Sequence, residues 1–285
     1  MSRLPAALAA VAGLALALAG RAEAESGPGV ARMTAFGGSC KGCALAGRKL
    51  TGASFTGGNF ENAVLVGSDL RGASFTGVTF AGADFSRADL RSASLLGVNF
   101  SGAVFSDARM DGLEGAGPNF TGADLKRAWL NSAALVGANF THAILAEAHL
   151  VSAELVASNL TDVDARRADF RSSDLSGARL IGGRFAGADF RSASLTGADL
   201  SRADLSGADL HDASLEDVRL FGADLASARG LTDEQLENAC ADAATRLPPG
   251  LEAPRGCHSH FSFRIHTRAA PPPPTPPRIR HLAGG

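Results

Sequence analysis

The residues of this chain that could do chemistry are its cysteines, its histidines and a long series of aspartates. Cys40 and Cys43 form a Cys-x-x-Cys pair, the spacing of a thiol redox couple or of half a zinc site. Redox work asks for an exposed first thiol with a stabilised thiolate, commonly at a helix start, and Lys41 is the one cation close by. Zinc asks for four ligands, and no histidine or second cysteine pair lies near in sequence. Cys257, His258 and His260 could lend ligands to a metal, but scattered histidines in a polar tail are more often solvated. Asp84, Asp89, Asp124 and their counterparts up to Asp224 resemble paired carboxylates until their regular spacing is noticed. Repetition explains them better than acid–base catalysis. No phosphate-cradling Gly-x-x-x-x-Gly-Lys, no His-Glu-x-x-His and no Gly-x-Ser-x-Gly is present. We therefore expect no catalytic residue, no metal and no cofactor, and read the cysteines as staples. Cys240 with Cys257 is the preferred disulfide, closing a loop for about 3 kcal/mol of chain entropy, and Cys40 with Cys43 the second.

The elements that would position these groups follow from one period. Every fifth position from Leu45 to Leu225 is Leu or Phe at 34 of 37 sites, the exceptions being Met110, Gly115 and Ala165. Two positions earlier the residue is Ala at 24 of 37 sites. Five matches neither the 3.6 of a helix nor the 2 of a strand. It suits a chain that turns a corner every five residues and closes a four-sided coil in 20, with the large residue on the axis, the alanine at the corner and three positions facing water. Backbone groups would then pair from coil to coil at about 4.8 Å. Residues 20 apart must share a column, as Phe60, Phe80, Phe100, Phe120 and Phe140 do, beside Asn99, Asn119, Asn139 and Asn159. Around Asp111 to Pro118 the pattern is broken by Leu113, Gly115 and Pro118, which predicts a loosened coil, a bulge or a presented loop. Ala165 should leave the axis underfilled.

The rest of the chain divides into segments. Residues 1–24 have Arg3, an apolar run too short to span a bilayer and a small-residue site ending at Ala24. That is the pattern of a secretory signal cleaved after Ala24, so we expect a periplasmic or secreted protein without a stable membrane anchor. A true start at Met33 would instead keep it in the cytoplasm. Residues 25–42 lead into a solenoid over 43–229. Residues 230–257 form a cap, whose helix starts at Thr232 with a capping box to Gln235 and runs to about Ala244. Residues 258–285 make a Pro-rich basic tail, expected to be extended. Residues 25–254 hold 20 basic and 28 acidic residues, net −8, whereas 255–285 carry five arginines and no acid.

Segments such as Ala83-Asp84-Phe85-Ser86-Arg87-Ala88-Asp89-Leu90 and Gly197-Ala198-Asp199-Leu200-Ser201-Arg202-Ala203-Asp204-Leu205 resemble the pentapeptide-repeat family over about residues 43–229. The resemblance implies an all-β fold, a right-handed quadrilateral β-helix, here with a short C-terminal capping α-helix. Some members resemble DNA in shape and charge and inhibit type II topoisomerases, an alternative that would need a cytoplasmic location. Arg166, Arg171, Arg184 and Arg191 break up the acidic field, and no nucleic acid partner is expected. A thiol–disulfide oxidoreductase at Cys40 and Cys43 is the enzymatic alternative. The reading preferred is an exported, non-enzymatic scaffold for an unidentified protein partner, with a homodimer also possible. Its candidate face is the set of outward apolar residues Leu96, Val104, Trp129, Val136, Ile144, Val151 and Val156.

Overall fold

A computed structural model describes residues 35–252 and residue 254. The expected signal segment, Cys257 and the Pro-rich tail lie outside them. One repeat shows why this sequence coils. The N–H of Ala83 donates to the carbonyl of Phe80 across a tight corner, 3.0 Å. The N–H of Asp84 bonds backward to Ala63 at 2.9 Å, while those of Phe85 and Arg87 bond forward to Val104 and Ser106 at 2.7 and 3.0 Å. The remaining N–H, of Ser86, donates to Asp84 Oδ1 at 2.8 Å. All five donors of the repeat are satisfied, the fifth by the aspartate that precedes the axial residue. That is the work of the Asp and Asn series, repeated at Asn99, Asn119, Asp124, Asn139, Asp174 and Asp199. The third corner residue has positive φ, as in a type II turn, so glycine is frequent there. Charged residues such as Arg87, with φ 57°, also accept the strain.

The coils stack in parallel. Strands β1 (Ala35–Phe36), β2 (Ser54–Thr56), β3 (Ser74–Thr76), β4 (Ser94–Leu96) and β5 (Glu114–Ala116) form one parallel sheet in chain order. Elsewhere single bridges such as Asn99↔Asn119 and Asp169↔Asp189 extend the ladder at an offset of 20, which lengthens to 21 and 22 only where Cys240 and Arg246 join it. The predicted phenylalanine column is present: Phe60, Phe80, Phe100, Phe120 and Phe140 stack with successive ring centroids 4.9, 5.8, 5.3 and 5.0 Å apart. All five are buried on the axis, and burial of each contributes about 1.5–3 kcal/mol. Pairing starts earlier than the sequence reading placed it, at Ala35 with Ser54.

Two expectations need correction. No loop, bulge or loosened coil interrupts 111–118: Leu95 pairs with Gly115, and the N–H of Gly115 reaches Ala134 at 2.8 Å. Leu113 is fully buried in the slot that alanine usually fills, so its bulk compensates for the missing axial side chain of Gly115. Val163 and Ala165, both fully buried, make the same exchange and keep that side filled. The irregularity shows at a corner instead. Pro118 has no N–H to close its turn, and at this corner strands β2 to β5 end at the positive-φ glycines Gly57, Gly77, Gly97 and Gly117. From Leu135 onward the turn closes, with Ala138 donating to Leu135 at 3.2 Å.

The second correction is the cap. Helix α1 (Asp233–Leu236) has the expected N-cap and capping box, but it ends eight residues before Ala244. The chain then rejoins the ladder, with Cys240 bridging Arg219 and Arg246 bridging Asp224. Cys240 is therefore a ladder residue rather than a helical one. Buried Leu236 and Ala239 reproduce the large-and-small pairing of a repeat, and that burial draws the backbone out of the helix. Side chains finish the edge. Gln235 Nε2 donates to the carbonyls of Leu210 and Ala213, both at 2.9 Å, Thr245 Oγ1 donates to Leu220 at 2.7 Å, and Asp242 Oδ1 accepts from Gly222 at 2.8 Å.

Candidate interaction surface

With the axis sealed, chemistry is confined to the four sides and four corners. Going round the coil 93–110, the sides are centred on Ser94, Asn99, Val104 and Arg109, and the corners at 96–97, 101–102 and 106–107 separate them. The seven candidate apolar residues do not converge on one face, which corrects the single face expected. Leu96, Val136 and Val156 share the corner after the Ser94 side, where Ala116 completes an uninterrupted row. Leu96 is 62% exposed and Val136 45%. Val104 and Ile144 lie on the third side, where Asp84, Asp124 and Asp164 alternate with them. Trp129 is on the fourth side, and Val151 at the corner beyond it. The corner between the third and fourth sides is diagonally opposite the Leu96 row. The offset of 20 separates these groups: columns collect residues from successive coils, and only neighbouring columns can touch.

The fourth side carries an ordered charge pattern that the sequence reading missed. Asp69 accepts two hydrogen bonds from Arg71, at 2.8 and 2.7 Å, and Asp89, Asp169 and Asp189 are bound likewise by Arg91, Arg171 and Arg191. Each arginine sits on the corner two residues after its aspartate. The guanidinium hydrogen bonds of Arg71 and Arg91 hold the Asp69 and Asp89 carboxyls below the usual carboxylate range. Asp164, on the third side, is gripped by Arg166 at 2.8 Å and Arg184 at 3.0 Å. The repeated Asp-x-Arg was the available signal. Its consequence is that the acidic columns are largely neutralised, leaving little of the continuous negative field of a DNA-like surface.

Between the two runs of Asp–Arg pairs, the column reads Arg109, Trp129, His149. Trp129, 45% exposed, stacks on His149 with centroids 4.1 Å apart. The rule of 20 would have found that partner, and sequence reading had named Trp129 alone. At Asp209 a histidine takes the place of the arginine, with His211 Nδ1 2.6 Å from Asp209 Oδ1.

Cys40 and Cys43 face the first coil half-buried, with Cα atoms 5.4 Å apart and their sulfurs within bonding reach. Cys240 does not stand free, and its expected mate Cys257 lies outside the described residues. Among the described residues no group of three or more metal-capable side chains assembles, and no helix is long and apolar enough to cross a membrane.

Comparison with known proteins places this geometry. Pentapeptide repeats match in eight copies, at residues 39–77, 83–113, 119–155, 148–187 and 184–222. The crystal structure of HetL is similar. HetL is a pentapeptide repeat protein involved in heterocyst differentiation regulation from the cyanobacterium Nostoc sp. strain PCC 7120. It is 28% identical, over 70% of this chain and 92% of its own, with a TM-score of 0.65. A trypsin-treated form of QnrB1, a plasmid-mediated fluoroquinolone resistance protein, is 22% identical over 74% of this chain and 92% of its own, with a TM-score of 0.39. No curated protein sequence matches. Repeats matched over more than half of the chain, closed on a Leu/Phe axis with four sides, establish that it belongs to the pentapeptide-repeat family and folds as that family's right-handed quadrilateral β-helix.

Proposed function

We propose that this protein is an exported, non-enzymatic scaffold that meets a protein partner along the corner row of Leu96, Ala116, Val136 and Val156. The observation that carries the reading is that row: four apolar residues on successive coils, unbroken by charge, whereas Val104 and Ile144 alternate with aspartates and Trp129 lies between Arg109 and His149. Outward leucine at 62% exposure costs solubility unless something covers it. A rigid ladder also presents the row without an ordering penalty, which favours binding. The cysteines act as staples at the two ends, consistent with an oxidising compartment.

The test is crosslinking in the native compartment with the tagged chain and with the Leu96→Asp/Val136→Asp variant. Both side chains point outward, so the fold and melting temperature should be unchanged while the crosslinked species disappears. Retention of the same species by the variant would remove the row as the contact. N-terminal sequencing of the mature protein should begin at Glu25; a start at Met33 would refute export.

A further inference from the structure

Trp129 and His149 occupy the gap between the two runs of ion pairs, with the indole still 45% exposed after stacking. Arg109, beside them, makes no ion pair or side-chain hydrogen bond among the described residues. A stacked aromatic pair on a straight column offers the flat apolar face against which proline rings pack in polyproline recognition. The chain carries its own ligand of that chemistry: Pro271 to Pro274, Thr275, Pro276 and Pro277, followed by Arg278 and Arg280.

We propose that the Pro-rich segment 271–277 docks in cis on the Trp129–His149 platform. Reach permits it. Five coil steps separate Trp129 from the Arg229 coil, about 24 Å at 4.8 Å per step. The 17 residues from Pro254 to Pro271 can extend to roughly 55 Å. Charge favours it, since a segment with five arginines and no acid faces a body of net −8. Tethering completes the case: a short linker supplies an effective concentration of order millimolar, so a contact too weak to hold a free peptide is still occupied within one chain. The platform is distinct from the corner row assigned to the partner, so either assignment can fail without the other.

The chain has one Trp and no Tyr, so its ultraviolet emission reports this platform directly. The chain expressed from Glu25 is compared with the same chain ending at Ala270, which keeps Cys257, and with a full-length Pro272→Ser/Pro273→Ser/Pro276→Ser variant. Docking predicts blue-shifted emission in the full chain. Both variants should shift to the red, with an acrylamide quenching constant raised about two-fold as half or more of the covered indole returns to water. A synthetic peptide of residues 268–285, added at millimolar concentration to the truncated chain, should restore the blue shift. Identical emission and quenching in all three proteins would overturn the proposal. So would a blue shift that grows with protein concentration, which would mark a second copy as the occupant.

Discussion

The middle coils and the C-terminal end complete the same ladder with different groups. In the middle, backbone bonds backbone: each coil satisfies its neighbours, and Asp or Asn side chains supply only the fifth acceptor. At the end no further full coil follows among the described residues, and three side chains, Gln235, Asp242 and Thr245, finish what the backbone does not. The middle is redundant, because a coil in a stacked array shares its stability with both neighbours. The end is singular, because no neighbouring coil repeats what these side chains do. Damage to the axis should therefore spread, and damage to the cap should remain local.

The largest break is on the axis. Phe100 packs against Phe80, Phe85, Phe105 and Phe120, so Phe100→Ala should cost about 3–5 kcal/mol and lower protection in several coils together. Hydrogen exchange followed coil by coil measures this. Loss confined to the 93–110 coil would show that the coils do not share stability.

A smaller effect tests the exchange of volume within a coil. Leu113→Ala should cost about 2–4 kcal/mol, because Gly115 offers no side chain to collapse into the hole. Gly115→Leu alone should be strained, since a Cβ there would lie 3.0 Å from Leu95 Cβ and 3.2 Å from the Leu95 carbonyl oxygen. The double variant restores the ordinary pattern of the family and should be more stable than the two single costs predict, by at least about 1 kcal/mol. Simple additivity would mean that the two slots do not trade volume.

At the end, Gln235→Ala removes one donor shared by two carbonyls and half of the capping box. It should cost roughly 1–3 kcal/mol, read as faster exchange in the last coil with the melting of the middle coils unchanged. A global loss of protection would contradict the local character of the cap.

How much of this was legible follows from the same division. The middle coils could be read closely because a rule with one period repeats: the axis, the columns, the Phe stack and the Asp series all follow from residues five or 20 apart. The rule also held information that was not extracted, such as His149 under Trp129 and the Asp-x-Arg pairs. What it could not give was the outcome where size and position conflict. Leu113 with Gly115 looked like a defect because each was judged alone, whereas the side responds to their summed volume. The cap was legible at Thr232 and Gln235, where local hydrogen bonding decides. It was misread beyond Leu236, where burial on the last coil overrides helical propensity. The outward apolar residues fall in the right columns, but their separation onto one corner, the third and fourth sides and the corner beyond becomes evident only once the coil is closed.

The smallest expected effect separates the two ways in which the molecule holds a carboxylate below its usual range. In the middle, Asp69 and Asp89 are lowered chiefly by arginine hydrogen bonds. At the end, Asp242 is lowered chiefly by the Gly222 N–H, with Thr245 and Ala244 adding to it. A carboxyl whose folded value lies below its unfolded one stabilises the fold fully above the ordinary carboxylate range. That contribution is lost as pH falls through the range toward the depressed folded values. Both regions should thus weaken on acidification below about pH 4, the ordinary carboxylate value, and neither should change between neutral pH and pH 5. Salt distinguishes them. Exposed Arg–Asp pairs are screened at 1 M NaCl, whereas backbone donors on Asp242 are neutral groups and lose little. Asp242→Asn keeps an oxygen to accept the Gly222 N–H but cannot be protonated, so protection of the Gly222 amide, taken relative to the unfolded chain at the same pH, should become insensitive to acid in the variant while wild-type protection falls below pH 4. If the two amides lose protection together, acid loosens the end through the body, and the independence of the two regions is lost.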